Sequence, residues 1–215
     1  MSGRKQDYIV VEGPIGVGKT SLVRKLAQTF KSEQLLEQPQ DNPFLERFYH
    51  APRQYALPAQ LSFLFQRSKQ IGELIQGDMF RPGCVADFML EKDRLFASVN
   101  LEDDEFRLYD QVYQQLQIDL PVPDLVIYLQ APVQVLQARI RKRGIDYERH
   151  MDNAYLESLV DAYTRFFYQY SASPLLIINT EKINLADNDA DFQAMLEHLE
   201  TVKSGRHYFN PLHEA

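Results

Sequence analysis

A second cysteine is missing. Cys84 stands alone among 215 residues, so no disulfide can close within the chain. Its surroundings, Gly83-Cys84-Val85-Ala86, suit a buried strand thiol. No cluster of cysteine and histidine has zinc-ligand spacing. A basic excess is missing too. The formal net charge is −7 and the pI about 5.3, which argues against non-specific nucleic-acid binding. No apolar run is long enough to span a bilayer. The opening segment, Met1-Ser2-Gly3-Arg4-Lys5-Gln6-Asp7, is too short and polar for a secretory signal. There is no internal repeat and no long low-complexity segment. These absences predict a cytoplasmic protein without a nucleic-acid or membrane partner.

What is present is a chain 45% hydrophobic and 25% charged, enough for a core within a single α/β domain over 1–215. Its strongest signal is Gly13-Pro14-Ile15-Gly16-Val17-Gly18-Lys19-Thr20. The apolar run Tyr8–Glu12 precedes it and the helical pattern Ser21–Ala27 follows, the strand–loop–helix context of a P-loop. Backbone N–H groups of such a loop converge on an anion, and the helix adds its positive end. Lys19 is expected to reach the β/γ-phosphates of a bound triphosphate, with the Thr20 hydroxyl in a Mg²⁺ position.

Short apolar runs alternate with helix-length segments. Tyr8–Glu12, Gln34–Glu37, Cys84–Asp87, Leu125–Gln130 and Leu175–Asn179 predict a five-stranded parallel sheet with helices on both faces. Asn42-Pro43 has the form of a helix start, as N-cap and first-turn proline. Further helices are expected over Pro58–Ile75, Leu101–Leu120, Val133–Arg143 (opened by Pro132, closed by Gly144), Ala154–Tyr170 and Phe192–Val202. The aromatic tail at 204–215 reads as a segment that packs on the body or on a partner.

Open parallel sheets bind ligands at the carboxyl ends of their strands. Glu37 and Asp87 fall there. Phosphoryl transfer to a hydroxyl uses one carboxylate as proton acceptor and another near Mg²⁺. By position alone, the two residues fit helix caps or ion pairs equally well. Arg139 and Arg143 share a helix face, and Gly144 with a polar loop follows. By itself that is a solvated basic helix end; beside a P-loop it reads as an arginine-bearing lid, about 139–150. Gln60 and Arg67, two turns apart, share a face, and an amide can pair with the edge of a nucleobase.

Together these residues make the chain resemble the deoxyribonucleoside kinases, nearest the bacterial deoxyadenosine/deoxyguanosine kinases. The resemblance runs from Tyr8 to about Glu181. It rests on Gly13–Thr20, Glu37-Gln38-Pro39, Asp41-Asn42-Pro43-Phe44-Leu45, Phe48-Tyr49, Gln60, Arg67, Asp87, Asp93-Arg94-Leu95-Phe96-Ala97 and Arg139–Glu148. It implies a P-loop kinase fold and transfer of the γ-phosphoryl of ATP, with Mg²⁺, to the 5′-hydroxyl of a deoxyribonucleoside, by a homodimer. It also implies roles. Glu37 accepts the 5′-hydroxyl proton, with a register on Gln38 as the alternative. Tyr49 and Glu148 hold the sugar 3′-hydroxyl. Gln60 reads the base, Arg67 and Asp93 stand at its far edge, and Phe96 packs on its face. Asp87 lies near Mg²⁺, and Arg139 and Arg143 are lid arginines. The chain departs from animal members at Phe88, where they carry an arginine, and at Ile145, a second lid-arginine position.

An Arg–Asp pair suits an amino-bearing or purine base better than thymine. A purine preference is expected, deoxyadenosine slightly ahead of deoxyguanosine, with deoxycytidine left open as an alternative. Two other readings compete. A nucleoside-monophosphate kinase of thymidylate-kinase type would need arginines for its acceptor's phosphate. A non-catalytic P-loop switch of the GTPase kind would need an Asn-Lys-x-Asp motif, which does not occur.

Overall fold

Strands buried on both sides must be covered on both sides, and here period-two alternation divides the cover between two sets of helices. The computed structural model describes residues 8–75, 83–116 and 122–210. Its sheet contains β1 (Tyr8–Glu12), β2 (Glu33–Leu35), β3 (Cys84–Ala86), β4 (Leu125–Gln130), β5 (Leu175–Asn179) and β6 (Arg206–Phe209). They run in the order β2-β3-β1-β4-β5-β6, every pairing parallel. The helices are α1 (Lys19–Phe30), α2 (Leu45–His50), α3 (Pro52–Ile75), α4 (Glu91–Asn100), α5 (Asp103–Gln115), α6 (Val133–Arg143), α7 (Asn153–Gln169) and α8 (Asp189–Leu199).

Ile9, Val11, Ile127 and Leu129 point to one face, where Leu22 and Leu26 of α1 and Phe192 and Met195 of α8 cover them. Val10, Val126 and Tyr128 point to the other, against Leu159, Tyr163 and Phe167 of α7. A third cluster joins Leu64 and Ile71 of α3 to Phe88 and Tyr109 of α5. It fixes α3 and α4 beside the carboxyl ends of β1 and β3.

Among the described residues the sheet has six strands, not five. The added strand is the tail segment Arg206–Phe209, which pairs with β5 from Leu175↔Arg206 to Ile178↔Phe209. As an edge strand it alternates exposed and half-buried residues, so no continuous apolar run announced it. β2 ends at Leu35, two residues before the expected end. The chain leaves the sheet there, which puts Glu37 in the loop beyond the strand. α3 begins at Pro52 and carries Pro58 inside it. In this second turn the missing proline N–H forfeits one hydrogen bond without ending the helix. Asn42 does not start α2. It is buried, its Oδ1 accepts from Phe44 N (3.0 Å) and its Nδ2 donates to Ala59 O (3.0 Å), which ties the loop to α3. α5 ends at Gln115, short of Leu120, and 117–121 lie outside the described residues. Helix α4 had no sequence expectation, because two of its buried positions are Lys92 and Asp93. Gly144 closes α6 in the left-handed conformation (φ 74), as anticipated.

Candidate active site

Two cavities meet at Lys19 and Thr20. The first, about 610 Å³, lies along the loop between β1 and α1 and is walled by Gly16–Leu22, Arg139, Lys142, Arg143, Thr180 and Ile183–Asp187. Gly13, Gly16 and Gly18 hold φ of 147, 83 and 104, which glycine alone adopts without strain. A Cβ on Gly13 would run into the Leu129 carbonyl oxygen, and one on Gly16 would lie 2.9 Å from Leu136 O. Val17 turns inward to the core, and Ile15 faces the second cavity. Lys19 Nζ donates to Gly13 O (2.7 Å) and Pro14 O (3.1 Å). Burial and then the charge of Lys92 push its pKa down to about 8.

Arg139 belongs to this first cavity and is not part of the wall of the second. Its guanidinium donates to Val17 O (3.2 Å), Thr180 Oγ1 (2.9 Å) and Thr180 O (2.6 Å), clamping α6 to the loop and to the end of β5. Arg143 lines both cavities, and its NH2 donates to Glu148 Oε1 (2.7 Å) and Oε2 (2.6 Å).

The second cavity, about 460 Å³, gathers Tyr49 of α2, Gln60 and Arg67 of α3 and Phe96 of α4 with Glu37, Asp87 and Glu148 from three connecting segments. Asp87 holds its near end: Oδ2 accepts from Thr20 Oγ1 (2.6 Å) and Oδ1 from Glu37 N (2.7 Å). Glu37 Oε1 accepts from Arg67, and Oε2 from Lys92 Nζ (3.1 Å). Burial pushes the Glu37 pKa up, but Arg67 and Lys92 together pull it well below the usual carboxylate range. Arg67 also pairs with Asp93, which lies behind it and outside the cavity wall. Burial pushes Asp93 up to about 6 against the pull of Arg67. Asp93 Oδ2 and Gln60 Oε1 are buried and lack a hydrogen-bond partner among the described residues. Orphaned buried acceptors are costly, and Gln60 Oε1, which lines the cavity, suits a ligand that brings a donor. At the other end Tyr49 stacks on Tyr147 (centroids 5.6 Å, interplanar 19°).

The residues fit a triphosphate with Mg²⁺. The glycine loop supplies the cradle, and the Thr20 hydroxyl and Asp87 carboxylate supply hard oxygen ligands. Among the described residues no group of three or more histidine, cysteine, aspartate or glutamate forms a cage of its own. A magnesium that arrives with phosphates needs only one or two carboxylates.

The sequence reading missed Lys92, Tyr147 and the Thr180–Asp187 wall. Lys92 sat in plain view in Glu91-Lys92-Asp93-Arg94, where a charged run looks solvated. The wall after β5 carries no motif.

Parallel sheet, glycine loop and paired cavities together define a P-loop nucleotide-binding protein of the phosphotransferase type. The deoxynucleoside kinase family model matches residues 9–203, and the chain belongs to that family. It is 33% identical to the deoxyguanosine kinase of Bacillus subtilis, over 91% of this chain and 97% of the relative. It is 29% identical to the deoxyadenosine kinase of Lactobacillus acidophilus, over 84% and 88%. The fold matches that of M. mycoides deoxyadenosine kinase with bound dATP at a TM-score of 0.77, with 22% identity over 89% of this chain and 98% of that one. Among the described residues no helix is long and apolar enough to cross a membrane.

Proposed function

We propose that the protein transfers the γ-phosphoryl of ATP to the 5′-hydroxyl of a purine deoxyribonucleoside. The observation that carries this reading is the pairing of charges in the second cavity. Arg67 pairs with Glu37 and Asp93, Lys92 with Glu37, and Arg143 with Glu148. An acceptor that already carries a phosphate would want free cations at that end. A neutral sugar alcohol wants carboxylates and amides, and an amino-bearing base wants Gln60 Oε1, while Asp93 acts from behind by holding Arg67. The named relatives act on deoxyguanosine and deoxyadenosine, which agrees.

ATP lies along Gly13–Thr20 with its base toward Arg139 and Thr180–Asp187. Thr20 and Asp87 would hold Mg²⁺, which would offset phosphate charge when bound. Tyr49 and Glu148 hold the 3′-hydroxyl, Phe96 packs on the base, and Glu37 takes the 5′-hydroxyl proton. The 5′-oxygen bonds to the γ-phosphorus while the bond to the β,γ-bridging oxygen breaks, and ADP leaves with that electron pair. Lys19 and Arg143 stabilise the charge on the transferred group. The lid about 139–150, a single domain over 1–215, a cytoplasmic setting and a homodimer belong to the same reading. Light scattering tests the last.

The deciding assay offers four deoxynucleosides and their four monophosphates with ATP and Mg²⁺. Deoxyadenosine or deoxyguanosine should give the highest kcat/KM. A monophosphate as best acceptor would restore the thymidylate-kinase type. Thymidine as best nucleoside would overturn the base argument.

A further inference from the structure

We propose that Lys92 is a catalytic cation of the phosphoryl-transfer site, its ammonium placed to meet the transferred group. The inference rests on the kinase reading above. Phe88, directly after Asp87, is fully buried in the cluster with Leu64, Ile71 and Tyr109, so that position offers the site no charge. Lys92, four residues on, does. It sits in the first turn of α4, its side chain 3% exposed, in the wall shared with Lys19, Thr20 and Asp87.

This placement is unfavourable on two counts. Burial strips the ammonium of water, and the first turn of a helix is the positive end of its dipole. Local rules broken together in this way are expected at functional positions. Arg67 grips Glu37 through Nε and NH2 and Asp93 through NH1, and Lys92 is the second cation of this group, the one that also lines the cavity beside Lys19, Thr20 and Asp87. Lysine has three N–H donors. Among the described residues one acceptor receives them, Glu37 Oε2 at 3.1 Å, and the Phe96 ring stands 5.5 Å from Nζ. Lys92 and Lys19 line the same cavity. Two ammonium groups held in one cavity repel, and an anion between them relieves both.

The chemistry supplies that anion when it is needed. As the 5′-oxygen bonds to the γ-phosphorus and the bridging P–O bond breaks, the 5′-hydroxyl proton passes to Glu37 and ADP departs with the electron pair. Neutral Glu37 no longer offsets Lys92, so the ammonium becomes available to the phosphoryl oxygens. The same carboxylate that accepts the proton thereby frees a cation for the group being transferred.

The test compares wild type with Lys92→Met and Lys92→Arg. It measures kcat and KM with the best purine deoxynucleoside, and calorimetric Kd for that nucleoside and its 5′-monophosphate. Lys92→Met should lower kcat by about 10²–10³ and weaken the monophosphate at least about tenfold, with nucleoside affinity held within about threefold. Lys92→Arg, which keeps the charge, should recover most of the lost rate and bind the monophosphate within about threefold of wild type. The inference falls if Lys92→Met keeps kcat within about threefold, or weakens nucleoside and monophosphate alike, since Lys92 then only braces Glu37. Should Lys92→Met fail to fold, Lys92→Arg decides: monophosphate affinity kept supports the role, and equal loss for both ligands overturns it. Wild type that turns over no deoxynucleoside overturns the kinase reading together with this inference. Active wild type with an indifferent Lys92→Met overturns the inference alone.

Discussion

The two cavities share Lys19 and Thr20 but are built by opposite means. The triphosphate end is mostly main chain: a glycine loop, the start of α1 and the carbonyl oxygens of Gly13 and Pro14. The acceptor end is mostly buried side chain, with Glu37, Arg67, Lys92 and Asp93 locked in one ion-paired group. The difference follows from the ligands. Phosphate is an anion that any backbone N–H can bind, so geometry suffices. A neutral nucleoside is distinguished only by donors and acceptors at fixed places, so particular side chains must be carried there and paired until it arrives.

The comparison can be broken at either end. The largest effect is expected at the main-chain end, from Gly13→Ala. Its Cβ meets a backbone oxygen of β4, which cannot rotate away, and its φ of 147 strains any side chain. Turnover should fall by at least about three decades, with loss of ATP binding by calorimetry, since the loop donors no longer converge. At the acceptor end, Glu37→Gln removes the proposed proton acceptor. It should lower kcat by roughly two to four decades with nucleoside Kd within a few-fold, the usual range for a general base. Near-normal turnover would move that role to Asp87 or show that no base is needed.

A smaller effect separates sugar binding from chemistry. Glu148→Gln breaks the two-pronged pair with Arg143 that spans both cavities. KM for the nucleoside should rise by about tenfold, with a lesser change in KM for ATP, as expected for one charge-assisted hydrogen bond. The smallest effect is a pH profile. Lys19 works as a cation, and its protonated form predominates below about 8. In the free enzyme, kcat/KM for ATP should therefore fall as pH rises through that value. Lys92→Met removes a neighbouring positive charge, so the fall should move to higher pH. A limb that stays in place would show that burial alone sets it.

The triphosphate end was legible in advance because its signal is contiguous. Gly13–Thr20, the strand before it and the helix after it lie within one window. β1, β4 and β5 were legible for the same reason, as continuous apolar runs that matched their observed bounds. The acceptor end was legible only residue by residue, through the resemblance. Gln60 and Arg67 share a helix face, but nothing local shows that Glu37, from a loop, and Asp93, from another helix, both close on Arg67. β6 escaped notice because an edge strand half in water needs no apolar run. Lys92 escaped because charge in a short run ordinarily means solvent.

The amino-acid sequence by itself determined that a glycine loop shaped for a triphosphate sits on an α/β sheet, because backbone geometry is set by neighbours along the chain. Tertiary structure alone decided which charges face each other in the acceptor cavity, and that Lys92 stands among them. Those contacts join residues far apart in sequence, and their strength comes from burial that only the packed fold creates.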